Sequence, residues 1–261
     1  MVLEWYLYIL FVLAGFFAGI INTLAGNGSV FTLSLLLFSG MPAGLANGTN
    51  RLGAMAQCIV SVLSFKNTST FKSLFKESLS FIPPSMLGTI FGACTAIQLS
   101  DKILSNLMSY LMIFMLFLVI FKPKSWLIDS KKRESNKSLS NTVIFFGIGF
   151  YAGFIQMGMG ILFLSALVLI SKYSILHANF IKIMICTAII LPALLIYIYY
   201  KQVDWIPGFA LAIGQGFGAW LATKYALKNK NSTIWIRRLL VFMISLALVK
   251  LFNLHLYFPH L

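Results

Sequence analysis

Acidic residues are scarce in this chain. Only 6 Asp and Glu stand against 20 Lys and Arg in 261 residues, and charged residues of both signs make up 10% of the total. None of the six carboxylates falls deep inside an apolar stretch, where a cation carrier or a proton relay normally places one. The sequence therefore argues against both of these functions.

The motifs of energy-converting and catalytic proteins are also missing. No phosphate-binding loop with GK[ST] occurs, so ATP hydrolysis by this chain is not expected. The three cysteines, Cys58, Cys94 and Cys186, lie in apolar segments without CxxC spacing, which favours small packing residues over metal ligands. No Ser/His/Asp set or metal-ligand cluster appears, so we predict no enzyme, no metal and no cofactor.

Apolar residues dominate what remains. Hydrophobic residues make up 59% of the chain, and the mean hydropathy is +0.90. A soluble domain of this length cannot bury so much apolar surface, which makes the lipid bilayer its predicted surroundings. The net charge of +14 would suggest nucleic acid as a partner of a soluble protein. Here the cations sit mainly in short connections, as membrane topology requires, and we expect no nucleic-acid partner.

The hydropathy pattern predicts an all-α integral membrane protein with about eight to ten hydrophobic helical elements. Stretches 28–39 and 158–171 are shorter than the roughly 20 residues of a straight span, and each adjoins a Gly-broken stretch. Each could be a short crossing or part of a hairpin of partial helices. The apolar stretches are 5–25, 28–39, 44–65, 79–99, 103–121, 141–157, 158–171, 176–200, 207–224 and 235–253.

Basic connections predict the orientation in a cell membrane. Lys and Arg concentrate in residues 66–78, 122–140 and 224–238, whereas the other connections carry little net charge. Because cytoplasmic loops are enriched in Lys and Arg, we expect these three segments in the cytoplasm and both termini outside. The long linker at 122–140 divides the chain into a first transmembrane unit, 1–121, and a second, 141–261.

The two units resemble each other in sequence. "GFFAG" at Gly15–Gly19 matches "GFYAG" at Gly149–Gly153, and "GTIFGA" at Gly88–Ala93 matches "GQGFGA" at Gly214–Ala219. Between these motifs Asn22 falls on Gln156, Gly26 on Gly160, and, after a two-residue shift, Asn50 falls on Lys182. Each unit holds five apolar elements, an odd number, so the halves should have opposite orientations. Inverted repeats with Gly-interrupted segments at matching positions are typical of secondary transporters.

These motifs resemble those of the TauE/SafE sulfite exporter family of probable membrane transporters. The resemblance rests on "AGNGS" at Ala25–Ser29, "LANGTNR" at Leu45–Arg51, and "QVDW" at Gln202–Trp205 with the Gly-rich segment after it. The usual glycine run is interrupted by Asn27, and the second-half counterpart of "GTN" is "FIK" at Phe180–Lys182. The resemblance implies export or exchange of sulfur-containing anions such as sulfite, sulfoacetate or other organosulfonates.

The candidate substrate-binding residues are glycines at the two breaks, buried cations and amides. Glycine breaks bare N–H groups that can bind anions at a half-helix N-terminus, although small residues also serve close helix packing. Arg51 and Lys182 lie about 10 Å and 9 Å deep in their spans at about 1.5 Å per residue, where a cation faces a cavity or a partner, or else snorkels to the interface. The polar side chains could bind a sulfonate or join helices. The candidate set is Asn22, Gly26, Asn27, Gly28, Asn47, Thr49, Asn50, Arg51, Gln156, Gly158, Gly160 and Lys182.

The predicted function is secondary transport of a small anion, with an outward direction. Arginine, lysine, amides and bared N–H groups all suit a negative substrate. Two alternatives stay open at this point, a channel-like pore for anions or small solutes and a membrane assembly factor that transports nothing. The oligomeric state does not follow from the sequence.

Overall fold

The computed structural model describes residues 5–24, 26–66, 70–120 and 139–224, with the backbone alone for 115–120. Helices fill nearly all of these ranges, and the described part of the chain contains no strand. The helices are α1 (Trp5–Leu24), α2 (Gly28–Phe38), α3 (Ala43–Phe65), α4 (Phe71–Ser78), α5 (Ile82–Ala96), α6 (Asp101–Ile120), α7 (Leu139–Phe154), α8 (Met159–Ser165), α9 (Ile175–Tyr199) and α10 (Trp205–Lys224). The prediction of an all-helical membrane protein is confirmed.

The helix boundaries follow the apolar stretches with two differences. The polar connection 66–78 contains α4, an amphipathic helix that meets α5 at a 54° bend. The stretch 158–171 divides into α8 and a π-helical turn at Ala166–Ile170. Of the predicted linker 122–140, only the last two residues are described, as the start of α7, and the predicted stretch 235–253 lies outside the described residues.

Two helices of the described chain are long and apolar enough to cross a membrane. They are α1 and α9, and the bent pair of α4 and α5 makes a third if it forms one span. The helices α2 and α7 and the combined segment 159–170 are apolar but shorter. Strongly apolar residues such as Trp5, Leu63 and Phe91 lie on the outside of the bundle, as expected for a surface that faces lipid.

The chain breaks between the first two described helices of each half, near matching positions of the repeat. Between α1 and α2 the chain turns at Gly26, whose φ is +83°. Between α7 and α8 it turns at Gln156 and Gly158, whose φ values are +62° and +66°. A left-handed backbone is easy for glycine but costs a residue such as glutamine about 1–3 kcal/mol. Strain of this kind concentrates at functional sites, which directs attention to Gln156.

Glycines bring the first helix of each half against the Gly-rich helix of the other half. A β-carbon on Gly19 of α1 would lie 2.3 Å from the carbonyl oxygen of Gln215 on α10. One on Gly153 of α7 would lie 2.0 Å from the carbonyl oxygen of Thr89 on α5. In the sequence repeat Gly19 matches Gly153, and Gln215 matches Thr89. The same contact therefore occurs twice with the halves exchanged, as a two-fold repeat requires, while the inversion of the halves across the membrane stays a prediction.

Candidate substrate site

The two helix breaks touch each other in the middle of the bundle. A β-carbon placed on Gly26 would lie 2.5 Å from the carbonyl carbon of Gly160, and one on Gly160 would lie 2.6 Å from the α-carbon of Gly26. Ser29 joins the same two segments, because its hydroxyl donates to the Gln156 carbonyl (3.4 Å) and accepts from the Gly158 N–H (3.0 Å). The residues that match in the sequence repeat thus meet at one crossing point.

A small cavity of about 20 Å³ lies beside this crossing. Its volume is enough for a water molecule and too small for a sulfur oxyanion, so a larger ligand needs the walls to move apart. Residues from both breaks, from α3 and from α9 form the wall. They are Asn22, Gly26, Ser29, Ala54, Gln57, Cys58, Gln156, Met159, Gly160, Lys182, Ile183, Cys186 and Ile190.

Lys182 brings a positive charge to the cavity wall. Its side chain is 2% exposed, and its ammonium donates to the carbonyl of Asn22 (3.1 Å) and to Oδ1 of Asn179 (2.6 Å). Within the described part of the chain, no carboxylate lines this cavity. The ammonium has three N–H donors, and the oxygens that accept from it are neutral. No negative charge in the described wall neutralises it.

Two glutamine side chains in the wall have amide atoms without a hydrogen-bond partner. Gln156 is fully buried; its Oε1 accepts from the Asn50 amide at 3.4 Å, but its Nε2 has no partner among the described residues. Gln57 is 5% exposed, and its Oε1 likewise has no partner there. Buried polar groups are normally hydrogen-bonded, so two unmatched amides in one cavity make it a candidate site for a polar ligand.

Arg51 lies apart from this cavity wall and has its own partners. The side chain is 1% exposed, and its guanidinium donates to the carbonyls of Ala152 (3.2 Å) and Gly153 (2.5 Å) in the last turn of α7. It also lies 4.5 Å from the centre of the Tyr197 ring. Helix C-terminal carbonyls carry partial negative charge, and an aromatic face attracts cations. These contacts compensate the buried charge, although Nε has no partner among the described residues.

The polar residues around Arg51 join helices. The Asn47 amide donates to the Phe154 carbonyl and to the Tyr197 hydroxyl, both at 2.7 Å. The Thr49 hydroxyl accepts from the backbone N–H of Asp204 at 2.9 Å, and Asn50 accepts from the Thr32 hydroxyl at 2.5 Å. These bonds fasten α3 to α2, to the end of α7 and to the start of α10.

The remaining three candidates stand at the starts of the short helices. Asn27 precedes α2, is 2% exposed and has no partner for Oδ1 among the described residues. Gly28 packs on α1, where its β-carbon would lie 2.2 Å from the Ala18 carbonyl oxygen, and Gly158 takes the left-handed turn before α8. Several early N–H groups of both helices already have partners, among them those of Ser29, Val30, Gly158 and Met159.

The structure therefore divides the twelve predicted residues into two groups. Asn22, Gly26, Gln156, Gly160 and Lys182 line the cavity, whereas Asn27, Gly28, Asn47, Thr49, Asn50, Arg51 and Gly158 surround it without lining it. Gln57 lines the cavity but is not among the residues predicted from the sequence, and Cys58 and Cys186, predicted as packing residues, line it as well. Gln57 follows Asn50 by seven residues, two helical turns on the same face of α3, and this spacing is the signal that could have revealed it.

The apolar exterior, the buried polar interior and the paired helix breaks define a membrane protein with the features of a transporter. The sequence profile of the Sulfite exporter TauE/SafE family matches residues 11–251, so the chain belongs to this family of membrane transporters. No group of three or more metal-ligating side chains occurs in the described part of the chain.

Relatives of similar length carry transporter names. A "Probable membrane transporter protein" of Haemophilus influenzae is 30% identical over 244 residues, which cover 91% of each chain. "Probable membrane transporter protein ORF9" of a Sinorhizobium species is 27% identical over 90% of this chain and 88% of the relative. "Probable membrane transporter protein YfcA" of Escherichia coli is 26% identical over 83% of this chain and 80% of the relative. No solved structure matches the chain.

Proposed function

We propose that this transporter carries small sulfur-containing anions, such as sulfite or organosulfonates, out of the cell, and that the cavity beside the glycine crossing is its substrate site. The family description supports the substrate class, because the matching profile is that of sulfite exporters. In this proposal Asn22, Gly26, Gln156, Gly160 and Lys182 contact the substrate. The other predicted residues position the helices that carry these five.

The observation that carries the proposal is the ammonium of Lys182 in the cavity wall. A buried cation in a membrane protein is costly, and such residues normally face a pathway or a partner of opposite charge. Neutral oxygens of Asn22 and Asn179 bind this ammonium, and the described wall contains no carboxylate. An anionic substrate would supply the missing negative charge, whereas a cationic substrate would be repelled.

The contact between the two breaks suggests how the site opens. Because Gly26 and Gly160 pack backbone to backbone, the two helix breaks can shift against each other without a side chain between them. Such a shift would widen the cavity toward one side of the membrane and then toward the other. Alternating access of this kind is common in transporters with inverted repeats.

The direction follows from electrostatics. We place the chain in the plasma membrane. Residues 66–78, 122–140 and 224–234 lie in the cytoplasm in this proposal, because these segments are rich in Lys and Arg, and both termini lie outside. An inside-negative potential drives an anion outward with about 2.3 kcal/mol per charge per 100 mV, so export needs no coupling ion in principle. Labelling of a cysteine at position 133 from outside intact cells would contradict this orientation.

The test is flux through the purified full chain in liposomes. Wild type, Lys182→Gln and Lys102→Gln are reconstituted at matched incorporation, and efflux of labelled sulfite, methanesulfonate and the cation choline is measured. Lys102 is an exposed residue of α6 and provides the matched loss of a lysine outside the site. We expect saturable anion flux and countertransport in wild type and Lys102→Gln, a strong loss in Lys182→Gln, and no choline flux.

Each of the other outcomes would indicate a different function or a different site. Anion flux that does not saturate would indicate a pore, and no flux of any solute would favour an assembly factor. Full anion transport by Lys182→Gln would place the site elsewhere in the molecule.

A further inference from the structure

The described wall of the cavity contains a single charged group. Of the residues that line it, Lys182 alone is ionic, and the remainder are amides, a hydroxyl, thiols, glycines and apolar side chains. Arg51, the other buried cation nearby, does not line the cavity and is bound to the carbonyls of α7. The described wall therefore offers one positive charge to a ligand.

The neutral part of the wall can bind polar atoms without adding charge. Gln156 and Gln57 each present an amide atom that has no partner among the described residues. A glutamine amide can donate or accept a hydrogen bond, so these two side chains can adapt to the oxygens of a ligand. Apolar residues also line the cavity, with Ile183 and Ile190 of α9 among them.

The number of charges decides which anions fit. When a monoanion binds beside Lys182, the occupied site has zero net charge. A site without net charge can turn from one side of the membrane to the other within the low-dielectric interior at little electrostatic cost. A dianion leaves one negative charge unpaired among amides and apolar groups, where electrostatic interactions are strong and uncompensated charge is expensive. We infer that the cavity selects monoanions over dianions, and that Gln57, as a neutral residue, sets this limit.

This inference rests on the proposed function and narrows its substrate class. It favours sulfonates with one charge and the hydrogen sulfite ion. It ranks sulfoacetate, which carries both a sulfonate and a carboxylate, below substrates of the same size with one charge.

Pairs of ligands that differ in one charge and little in shape provide the test. Sulfoacetate is compared with its primary amide, and sulfate with methanesulfonate, by their competition against labelled methanesulfonate in proteoliposomes of the full chain. We expect the monoanion of each pair to compete about tenfold or more strongly in apparent affinity, a preference that corresponds to about 1.4 kcal/mol.

A substitution of Gln57 should change the preference in a defined direction. Gln57→Lys adds a second cation to the wall and is expected to raise the relative affinity for the dianion about tenfold or more. Gln57→Met leaves the charge unchanged and should keep the preference for monoanions even where it weakens transport. Ser64→Lys adds the same charge to an exposed position of α3 and should leave the preference at its wild-type value.

The outcomes separate this inference from the function on which it rests. Wild-type protein that binds monoanions and dianions equally, or prefers dianions, would overturn the inference and leave anion transport standing. Transport by Gln57→Lys with an unchanged preference would also overturn it. Absence of flux for every anion would overturn the proposed function as well. The wild-type comparison decides the question even if Gln57→Lys does not fold.

Discussion

The two buried cations of this transporter have different surroundings. Arg51 binds two carbonyls at the end of α7 and lies over the Tyr197 ring, away from the cavity wall. Lys182 binds one carbonyl at the end of α1 and the Asn179 amide oxygen, and it lines the cavity. Neutral groups hold both cations, but only Lys182 lines the cavity, where it can also bind a ligand.

The sequence repeat places Lys182 where the first half has a neutral residue. Asn50 and Lys182 match in the repeat, and so do Gln156 and Asn22. In the structure the Asn50 amide donates to the side-chain Oε1 of Gln156, and the Lys182 ammonium donates to the backbone carbonyl of Asn22, so the matched residues meet in both copies but with different acceptors. One copy uses a neutral amide and the other an ammonium. The repeat therefore keeps the pairing of these residues and places the charge on one side of the cavity.

The largest effect is expected from Gly26→Ala, which would alter the crossing beside the cavity that Lys182 lines. The left-handed backbone at Gly26 costs alanine about 1–2 kcal/mol, and the contact with Gly160 adds about 1–3 kcal/mol for overpacking. Gly40→Ala is the matched control, because Gly40 has φ +84° with no atom within 4 Å of the added carbon. Thermal unfolding in detergent should show a much larger loss for Gly26→Ala, and equal losses would mean that the crossing is loosely packed.

Arg51→Gln should be the next most harmful change and should act on stability. It removes two charge-assisted hydrogen bonds and leaves the carbonyls of Ala152 and Gly153 with weaker partners, at a cost of about 2–4 kcal/mol. The protein that does fold should keep an apparent KM for anions within about threefold of wild type. A large rise in KM with unchanged thermal stability would show instead that Arg51 contacts the substrate.

Conservative substitutions of the two cations test whether Arg51 and Lys182 have different roles. Arg51→Lys loses the geometry in which two guanidinium nitrogens donate to two carbonyls. The substitution should lower the free energy of unfolding by about 1–2 kcal/mol, while the apparent KM stays close to wild type. Lys182→Arg retains the charge but forces a larger group into a cavity of about 20 Å³, so transport should weaken about tenfold, with a loss of stability of about 1–3 kcal/mol from overpacking. Kinetics and thermal unfolding of the same preparations check both expectations. If the two variants show the same pattern, the surroundings of the two cations do not determine their roles.

Tyr197→Phe should have the smallest effect. It removes the hydroxyl that accepts from Asn47 and keeps the ring below Arg51, so a loss of about 1 kcal/mol in unfolding free energy is expected. Transport at matched incorporation should not change. Tyr199→Phe, at an exposed position at the end of α9, serves as the control for the loss of a tyrosine hydroxyl. A change in anion affinity would indicate that Arg51 moves when its support weakens.

The sequence predicted the helix breaks and the buried cations of the candidate site, whose role in binding stays a prediction. The glycine motifs located both breaks, and the repeat paired Gly26 with Gly160, which are in contact in the structure. Burial depth identified Arg51 and Lys182 as buried cations, and both are. Gln57 is absent from the prediction, because its seven-residue spacing from Asn50 is a weak signal until the residues that face α3 are known.

Hydropathy and charge were sufficient for the helical membrane class, because apolar content and the spacing of basic connections are local properties of the chain. The family likewise follows from motifs read in order along it. The separate surroundings of Arg51 and Lys182 depend on which carbonyls approach each side chain across the two halves. Those partners are about 100 residues away from Arg51 and 160 away from Lys182 along the chain, and packing alone brings them together.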